Sequence, residues 1–136
     1  MSDIGYKAIL PEGWPRPRGF SHAVVSKGST TIRVAGQIGG EPGGNVKPGA
    51  SVGEQWRIAL GKVVTVVKAA GGDVPNIVLL RAFVTDVEAF KAAGPAIGKA
   101  WAATLGKHFP AMTLVEISKL IDPNACVEIE AEAVLP

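Results

Sequence analysis

The last ten residues before the C-terminal proline alternate between two kinds of side chain. An apolar residue falls at every second position, and three glutamates lie between them. A period of two is that of a β-strand, whose successive side chains point to opposite faces of a sheet. The pattern predicts a strand with one face on a hydrophobic core and one acidic face. The apolar positions are Val127, Ile129, Ala131, Ala133 and Leu135, and the acidic ones are Glu128, Glu130 and Glu132.

A second segment has apolar residues at the period of an α-helix, and such a helix can pack against one face of that sheet. Apolar residues recur at steps of three and four along Val52–Ala70, which predicts an amphipathic helix. Ser51 followed by Glu54 predicts a capping box, in which each side chain bonds to the backbone of the other residue. Gly71-Gly72 predicts that the helix ends in a left-handed C-cap.

The N-terminal third predicts an arm, a hairpin and a loop. Residues 1–19 are expected to be an irregular arm, because residues 10–19 hold three prolines and two glycines. Two β-prone runs, Ser21–Ser26 and Thr31–Ala35, flank a short turn and predict a β-hairpin. Gly36–Gly49 is a loop by composition.

The remaining elements complete the order β-β-α-β-α-β-β. Ile77–Thr85 is nearly all apolar, as in a strand that is covered on both faces. Asp86 can cap a second helix that runs to Leu105, and Ala93-Gly94-Pro95 predicts a kink or two shorter helices there. Thr113–Ser118 is a further strand. The order predicts an α+β sandwich with the helices on one face of the sheet.

Composition limits the class of protein. The 136 residues predict one domain. Hydrophobic residues make up 47% and charged residues 19%, which excludes intrinsic disorder. A net charge of +2 from scattered basic residues predicts no nucleic-acid partner. No uncharged apolar run approaches the length of a membrane span.

Cysteine and histidine are too few for a disulfide framework or a structural zinc site. The chain has one cysteine and two histidines, so we expect no metal. The N-terminal region carries Asp3 and Lys7 without an apolar segment behind them, and we therefore expect no secretory signal. These features predict a cytoplasmic protein.

The uncovered sheet face is the first candidate for function. Met112, Leu114 and Glu116 share one side of their strand by spacing, and we expect the first two to be exposed beside the carboxylates of the final strand. Such a face predicts an interface or a cleft, and hence self-association. Glu128 is either a solvated strand residue or a base that orients water. His22 is either a strand histidine or an acid–base group of a cleft.

Five motifs resemble the Rid (reactive intermediate deaminase) family, also called the YjgF or L-PSP endoribonuclease family. In order, they are Gly19–His22, Val34–Gly39, Phe83–Asp86, Phe109–Ala111 and Val127–Ala131. The resemblance implies a chorismate-mutase-like α+β fold and a homotrimer with small-molecule sites in its intersubunit clefts. It also implies hydrolysis of enamines and imines, such as 2-aminoacrylate, to a keto acid and ammonia without metal or organic cofactor.

The chain departs from the family pattern at three positions of the implied site. Met112 stands where deaminase members have an arginine that binds the substrate carboxylate. Leu114 replaces a frequent cysteine, and Phe20 replaces a tyrosine. A guanidinium makes two charge-assisted hydrogen bonds to a carboxylate, each worth about 1.5–3 kcal/mol, and methionine makes none. Gly36 and Glu128 are retained, and Glu128 aligns with the family glutamate that positions water.

These matches and departures predict an intersubunit cleft with Glu128 as the catalytic group. We expect the final strand to neighbour the strand of Met112, so that both strands face the same cleft. Arg18 is a candidate substitute for the missing arginine. The substrate-binding candidates are Phe20, Gly36, Met112, Leu114, Arg18 and His22.

Two classes of function follow from the sequence. The first is hydrolysis of an enamine or imine, with weak or absent activity on 2-aminoacrylate and a preference for a larger, less anionic or aromatic-derived ligand. The alternative is a non-catalytic trimer that binds a small metabolite or acts as a chaperone. Retention of Glu128 favours the enzyme, and loss of the arginine favours the binding protein.

Overall fold

The computed structural model describes residues 3–136, which form six strands and three helices. Residues 1 and 2 of the predicted arm lie outside this range. The strands are β1 Lys7–Ile9, β2 Ala23–Val25, β3 Thr30–Ile38, β4 Ile77–Val84, β5 Ala111–Glu116 and β6 Val127–Leu135. The helices are α1 Val52–Ala69, α2 Val87–Ala92 and α3 Gly94–Thr104, and a 3₁₀ turn at Val74–Asn76 precedes β4.

Four strands form the main sheet in the order β3-β6-β4-β5. Strand β6 is antiparallel to β3 and to β4, whereas β4 and β5 are parallel. A parallel pair needs a long crossover, and α2 and α3 supply it. The helices cover one face of the sheet, so the predicted α+β class is confirmed. This element order and topology agree with the chorismate-mutase-like fold that the family resemblance implies.

The alternation of β6 is confirmed at every core position from Val127 to Ala133. These apolar side chains are buried against the helices, and the glutamates between them lie on the opposite, open face. From α1, Trp56 and Leu60 are also fully buried in this core. Burial of apolar side chains on both layers is the main source of stability for such a sandwich.

Helix α1 ends as predicted and begins with half of the predicted capping box. The Ser51 hydroxyl accepts a hydrogen bond from the Glu54 amide at 3.2 Å. The Glu54 carboxylate does not return to Ser51, because it binds Arg57 through two bonds of 2.8 Å. At the other end Gly71 has a φ of +97°, and the Gly72 amide donates to the Val67 carbonyl, as in a Schellman motif.

Two predictions for the N-terminal third are wrong. Strand β2 pairs with β1 in a separate two-stranded sheet, whereas β3 pairs with β6. The predicted hairpin is therefore absent, and Lys7–Ile9 of the arm is a strand rather than irregular. Residues 10–19 do lack regular structure.

The predicted loop at Gly36–Gly49 also begins too early. Strand β3 continues to Ile38 through an irregularity in its register with β6, between Val34 and Gln37. A bulge of this kind lets a strand pass through glycine without losing its partner. The consequence is that Gly36 lies within the sheet, beside β6.

The break in the second helical segment is confirmed. Helices α2 and α3 meet at Ala93, and Pro95 lies in the first turn of α3, where its missing N–H costs little. The Asp86 carboxylate accepts from the Ala89 amide at 3.0 Å and caps α2. Within residues 3–136, none of these helices is long and apolar enough to cross a bilayer.

The predicted exposure of Met112 and Leu114 on the open face is wrong. Their partners on β4 are Leu80 and Ala82, which are buried under the helices, and partners across a sheet point to the same side. Met112 and Leu114 therefore lie on the helix side of an edge strand. Apolar side chains of the open face instead include Leu79, Phe83, Val115 and Ile38.

His108 ties the turn before β5 to the start of β4. Its Nε2 lies 2.7 Å from the Ile77 carbonyl oxygen, and its ring is 4.9 Å from the Tyr6 ring. Burial lowers the pKa of His108 below the usual histidine value, although the bond to Ile77 opposes that shift. The folded chain therefore favours the neutral ring.

We predict that His108 makes the fold less stable as the pH falls below about 6.5, because the unfolded chain then binds a proton that the folded chain resists. Thermal unfolding at about pH 7.5 and about pH 5.5 measures this loss. His108→Gln should reduce the difference between the two pH values. His22→Gln, at an exposed histidine, should retain it. An unchanged pH dependence in His108→Gln would contradict the assignment.

Candidate functional site

A cavity of about 750 Å³ opens at the edge of the sheet, between β5 and the helices. We call it the edge cavity. Its walls are aromatic and aliphatic side chains from β5, all three helices and the arm, and two cations lie at its rim. Its main apolar residues are Phe20, Trp56, Phe90, Ile97, Trp101, Phe109, Met112 and Leu114, and the cations are Arg18 and Lys107.

The arm is held over this cavity by backbone bonds to β5 and the turn before it. The Ser21 amide donates to the Pro110 carbonyl at 3.0 Å, and the Ser21 hydroxyl donates to the Phe109 carbonyl. Ser21 also forms an isolated parallel bridge with Ala111. Because Ser21 is fixed, the preceding residues Arg18 and Phe20 reach the edge cavity.

The edge cavity is positive and has no acidic lining residue. Within residues 3–136, neither Arg18 nor Lys107 forms an ion pair. Trp56 is 1% exposed, and its indole N–H has no acceptor among the described residues. The other indole in the wall is satisfied, because Trp101 Nε1 donates to the His108 carbonyl at 3.2 Å.

A second cavity of about 510 Å³ lies on the open face, where β3 and β6 meet the loops at residues 39–51 and 117–126. We call it the carboxylate cavity. Glu128 lies across Gly36 there: a Cβ at position 36 would be 2.7 Å from Cδ of Glu128. A side chain at position 36 would therefore displace the Glu128 carboxylate from this place. Asp122 also lines this cavity, but its carboxylate binds the Val46 and Asn124 amides, which lower its pKa.

Glu128 differs from the other two glutamates of β6. Arg81 on β4 bonds to Glu130 at 3.0 Å and to Glu132 at 3.5 Å. The β4 residue opposite Glu128 is Phe83. Within residues 3–136, the Glu128 carboxylate has neither a hydrogen bond nor an ion pair, so its oxygens remain able to accept a proton or orient water.

The structure divides the predicted site residues into two groups. Four of them line the edge cavity together, and Gly36 and Glu128 meet in the carboxylate cavity. His22 lines neither cavity; its exposed ring packs edge-on against Trp14 at 4.9 Å and Phe20 at 5.3 Å. The four residues of the edge cavity are Arg18, Phe20, Met112 and Leu114.

The two groups do not meet within one chain. Strand β4 lies between β5 and β6, so the expectation that the final strand neighbours the strand of Met112 is wrong. Met112 also faces the helices, whereas Glu128 faces the open side. A single cleft that contains both residues requires two copies of the chain, and it stays a prediction.

Sequence reasoning missed Trp56, Phe90, Trp101 and Lys107 as lining residues. The two tryptophans and Phe90 follow helical spacing, which marks them as core, and periodicity does not reveal a gap between a helix and an edge strand. Lys107 adjoins the Phe109–Ala111 motif. The closeness of Lys107 to this motif in the sequence was the one signal that Lys107 lies near the site.

The thiol of Cys126 is poorly suited to act as a nucleophile. Cys126 is half-buried, and burial raises the pKa of its thiol above the usual cysteine value, which favours the unreactive protonated form near neutral pH. In residues 3–136, no cluster of three or more His, Cys, Asp and Glu side chains could hold a metal ion.

Comparison with known proteins gives the family. The family model described as endoribonuclease L-PSP matches residues 15–135. The chain belongs to the Rid/YjgF/L-PSP family. It is 32% identical over 136 residues to the 2-iminobutanoate/2-iminopropanoate deaminase of Capra hircus, covering 98% of this chain and 93% of the goat protein. It is 28% identical over 115 residues to the human protein of the same name, covering 85% and 79% of the two chains.

Solved structures of the family have the same fold. The Rid family protein YyfB from Yersinia pestis superposes with a TM-score of 0.85 at 29% identity, over 97% of this chain and 100% of that one. TdcF from E. coli with bound serine superposes with a TM-score of 0.67 at 28% identity, over 96% and 99% of the chains.

We predict that Gly36→Ala destabilises the fold by about 1 kcal/mol through contact with Glu128. In a Glu128→Ala background the same change should cost much less, because the three atoms nearest to the new Cβ all belong to Glu128. Chemical denaturation of the four proteins of this double-mutant cycle measures the coupling.

Gly61→Ala is the matched control for that cycle. A Cβ at position 61 meets nothing within 4 Å, and in helix α1 alanine should stabilise by about 0.5–1 kcal/mol. If Gly36→Ala costs the same in both backgrounds, Glu128 does not lie across Gly36.

Proposed function

We propose that this protein hydrolyses a reactive enamine or imine to a carbonyl compound and ammonia, with Glu128 as the catalytic base. The observation that carries the proposal is an unpaired carboxylate in the carboxylate cavity, held over a glycine. The curated relatives are named as 2-imino acid deaminases, which supports deaminase activity at the level of the family.

The chemistry needs one water molecule and one group that exchanges protons. Glu128 accepts a proton from water as the water oxygen bonds to the imine carbon, and the imine nitrogen takes up a proton. Glu128 then passes the hydroxyl proton of the resulting carbinolamine to the amino nitrogen, and the C–N bond breaks to give the carbonyl compound and ammonia. An enamine first gains a proton on carbon to become the imine. A carboxylate that no neighbouring cation occupies can serve in each transfer.

The active site that we propose lies between two copies of the chain. The edge cavity is lined by Arg18 and Lys107 and by no acidic side chain, whereas the carboxylate cavity is lined by Glu128 and Asp122 and by no lysine, arginine or histidine. Contact between these unlike surfaces is head-to-tail, and we propose that the rotation between copies closes the contacts into a ring. Closure would also cover the apolar side chains of the open face.

We predict a homotrimer in solution. Light scattering at micromolar concentration should give three times the chain mass of 14.0 kDa. Phe83→Arg, which places a charge on the open face, should lower that mass. A monomer in the wild-type protein would contradict the assembly and the shared site.

We predict that Glu128→Gln reduces hydrolysis by about 10²–10⁴-fold, because the amide keeps the shape and cannot accept the proton. Imines made from several amino acids serve as substrates, with ammonia and the keto acid as readouts. The control is Glu130→Gln, on the same strand and face but paired with Arg81, which should keep activity within a few-fold of wild type. Wild-type rates in Glu128→Gln would refute the catalytic role.

We predict that activity on 2-aminoacrylate is weak and that Met112→Arg raises it. The guanidinium would supply the bidentate carboxylate contact that methionine lacks. Met112→Gln, which has similar length and no charge, should remain weak. High wild-type activity on this small substrate, or equal rates in the two variants, would show that the family arginine is not what limits the reaction.

A non-catalytic trimer remains the second candidate, and a specific observation favours it. Met112 leaves the strand of the edge cavity without a carboxylate-binding cation, so a bound metabolite could be held without being turned over. If the wild-type protein binds such a metabolite and hydrolyses none of the imines tested, this second function replaces the first.

A further inference from the structure

The edge cavity combines a large apolar interior with a positive rim. Its volume of about 750 Å³ is that of a site for a ring-containing ligand rather than for a two- or three-carbon acid. Both charged residues that line it, Arg18 and Lys107, are cations. They have no carboxylate partner within residues 3–136, so they favour an anion at the mouth of the cavity.

The interior wall holds flat aromatic surfaces. The rings of Trp101 and Phe109 are stacked, with 5.8 Å between centroids and 7° between planes. Trp56 and Phe90 pack with their centroids 5.2 Å apart. Trp56 and Trp101 are buried, whereas Phe109 is 38% exposed and Phe90 is half-buried. The two phenylalanine rings therefore carry the aromatic surface that a planar ring can contact.

The indole N–H of Trp56 is a buried donor next to the edge cavity. It is buried in the wall of the edge cavity and lacks an acceptor among the described residues. Buried N–H groups are nearly always bonded in folded proteins, and exceptions often mark functional sites. Because this nitrogen is not accessible to solvent, it reports on the nearby cavity and is not itself a ligand contact.

We propose that the edge cavity binds an aromatic carboxylate, with the carboxylate between Arg18 and Lys107 and the ring against Phe90 and Phe109. The inference rests on the proposed function, because it assigns the substrate class as aromatic 2-imino acids. Hydrolysis of such an acid consumes one water and gives an aromatic 2-keto acid and ammonia.

Smaller imino acids bind less well at this site for a physical reason. A methyl or ethyl group leaves most of the apolar wall in contact with water, whereas an aromatic ring covers it and gains the hydrophobic free energy of that area. Arg18 and Lys107 are exposed residues of the cavity. A carboxylate bound by them leaves the rest of the ligand to contact the apolar wall.

Binding of 3-phenylpropionate to the full-length assembled protein tests the proposal. This acid has the ring and the carboxylate but no imine. Tryptophan fluorescence and the indole N–H signals in nuclear magnetic resonance report on the cavity, and Trp56→Phe identifies the signal of Trp56. Two matched probes are 3-phenylpropanamide, which lacks the charge, and propionate, which lacks the ring.

We expect 3-phenylpropionate to bind at least about tenfold more tightly than either matched probe. Arg18→Ala and Lys107→Ala should each weaken its binding by about tenfold and leave the amide nearly unaffected. The controls are Arg57→Ala and Lys99→Ala, which remove the same charges from residues that do not line the cavity. The Trp56 N–H signal should shift on binding.

Three results would overturn the inference: no binding of 3-phenylpropionate, equal binding of acid and amide, or binding that neither rim variant weakens. These binding results and the hydrolysis assay test the two proposals separately. Hydrolysis of small imines that depends on Glu128, without binding of the probe, would leave the hydrolase intact and reject the aromatic site. The expected binding without hydrolysis of any imine would reject the hydrolase and keep the aromatic carboxylate site.

Discussion

The rest of the structure depends on the pairing of β6 with two neighbours at once. Because β3 and β4 bond to its two edges, the side chains of β6 can point only to the two faces of the sheet. Their strict alternation then makes one face apolar and the other acidic. Helix α1 covers the apolar face, and no element of residues 3–136 covers the acidic face in the same way. Any site that uses the glutamates therefore lies opposite the helices.

The three glutamates of the acidic face differ in their contacts. Arg81 occupies the one position on β4 from which it reaches both Glu130 and Glu132. Its charge offsets the repulsion between Glu130 and Glu132. Glu128 forms no hydrogen bond or ion pair with Arg81, and it lies next to Phe83 and across Gly36. The bulge in β3 brings Gly36 to that place. One ion-pair network and one glycine thus separate a carboxylate suited to chemistry from two that are structural.

Local periodicity predicted the elements whose surroundings repeat along the chain. The alternation of β6, the helical stripe of α1 and the break at Ala93–Pro95 each depend on neighbours in sequence, and each is confirmed. Strand β1 has only three residues, which is too short to show a period. The wrong hairpin has the same origin, because a turn signal shows where the chain reverses and not which strand lies beside it.

The candidate site depends even more on contacts between elements that are distant in the sequence. Spacing places Met112 and Leu114 on one face of β5, but the register with β4 decides which face that is. The sequence likewise shows neither that β4 separates β5 from β6 nor that a gap lies between α3 and the edge strand. Glu128, Gly36, Phe20 and Arg18 were found through family motifs and their neighbours. The aromatic wall and Lys107 depend on contacts between distant elements.

The position of the cations separates the charge of the edge cavity from its apolar wall. A guanidinium on β5 would hold a carboxylate against the sheet and fill part of the space beside Leu114. With methionine there, positive charge remains only at the rim, on the arm and on the turn before β5. A carboxylate at the rim leaves the interior to the remainder of the ligand. Met112 gives the wall of the edge cavity an apolar side chain on β5, so the charge and the apolar wall of this cavity belong to different elements of the fold.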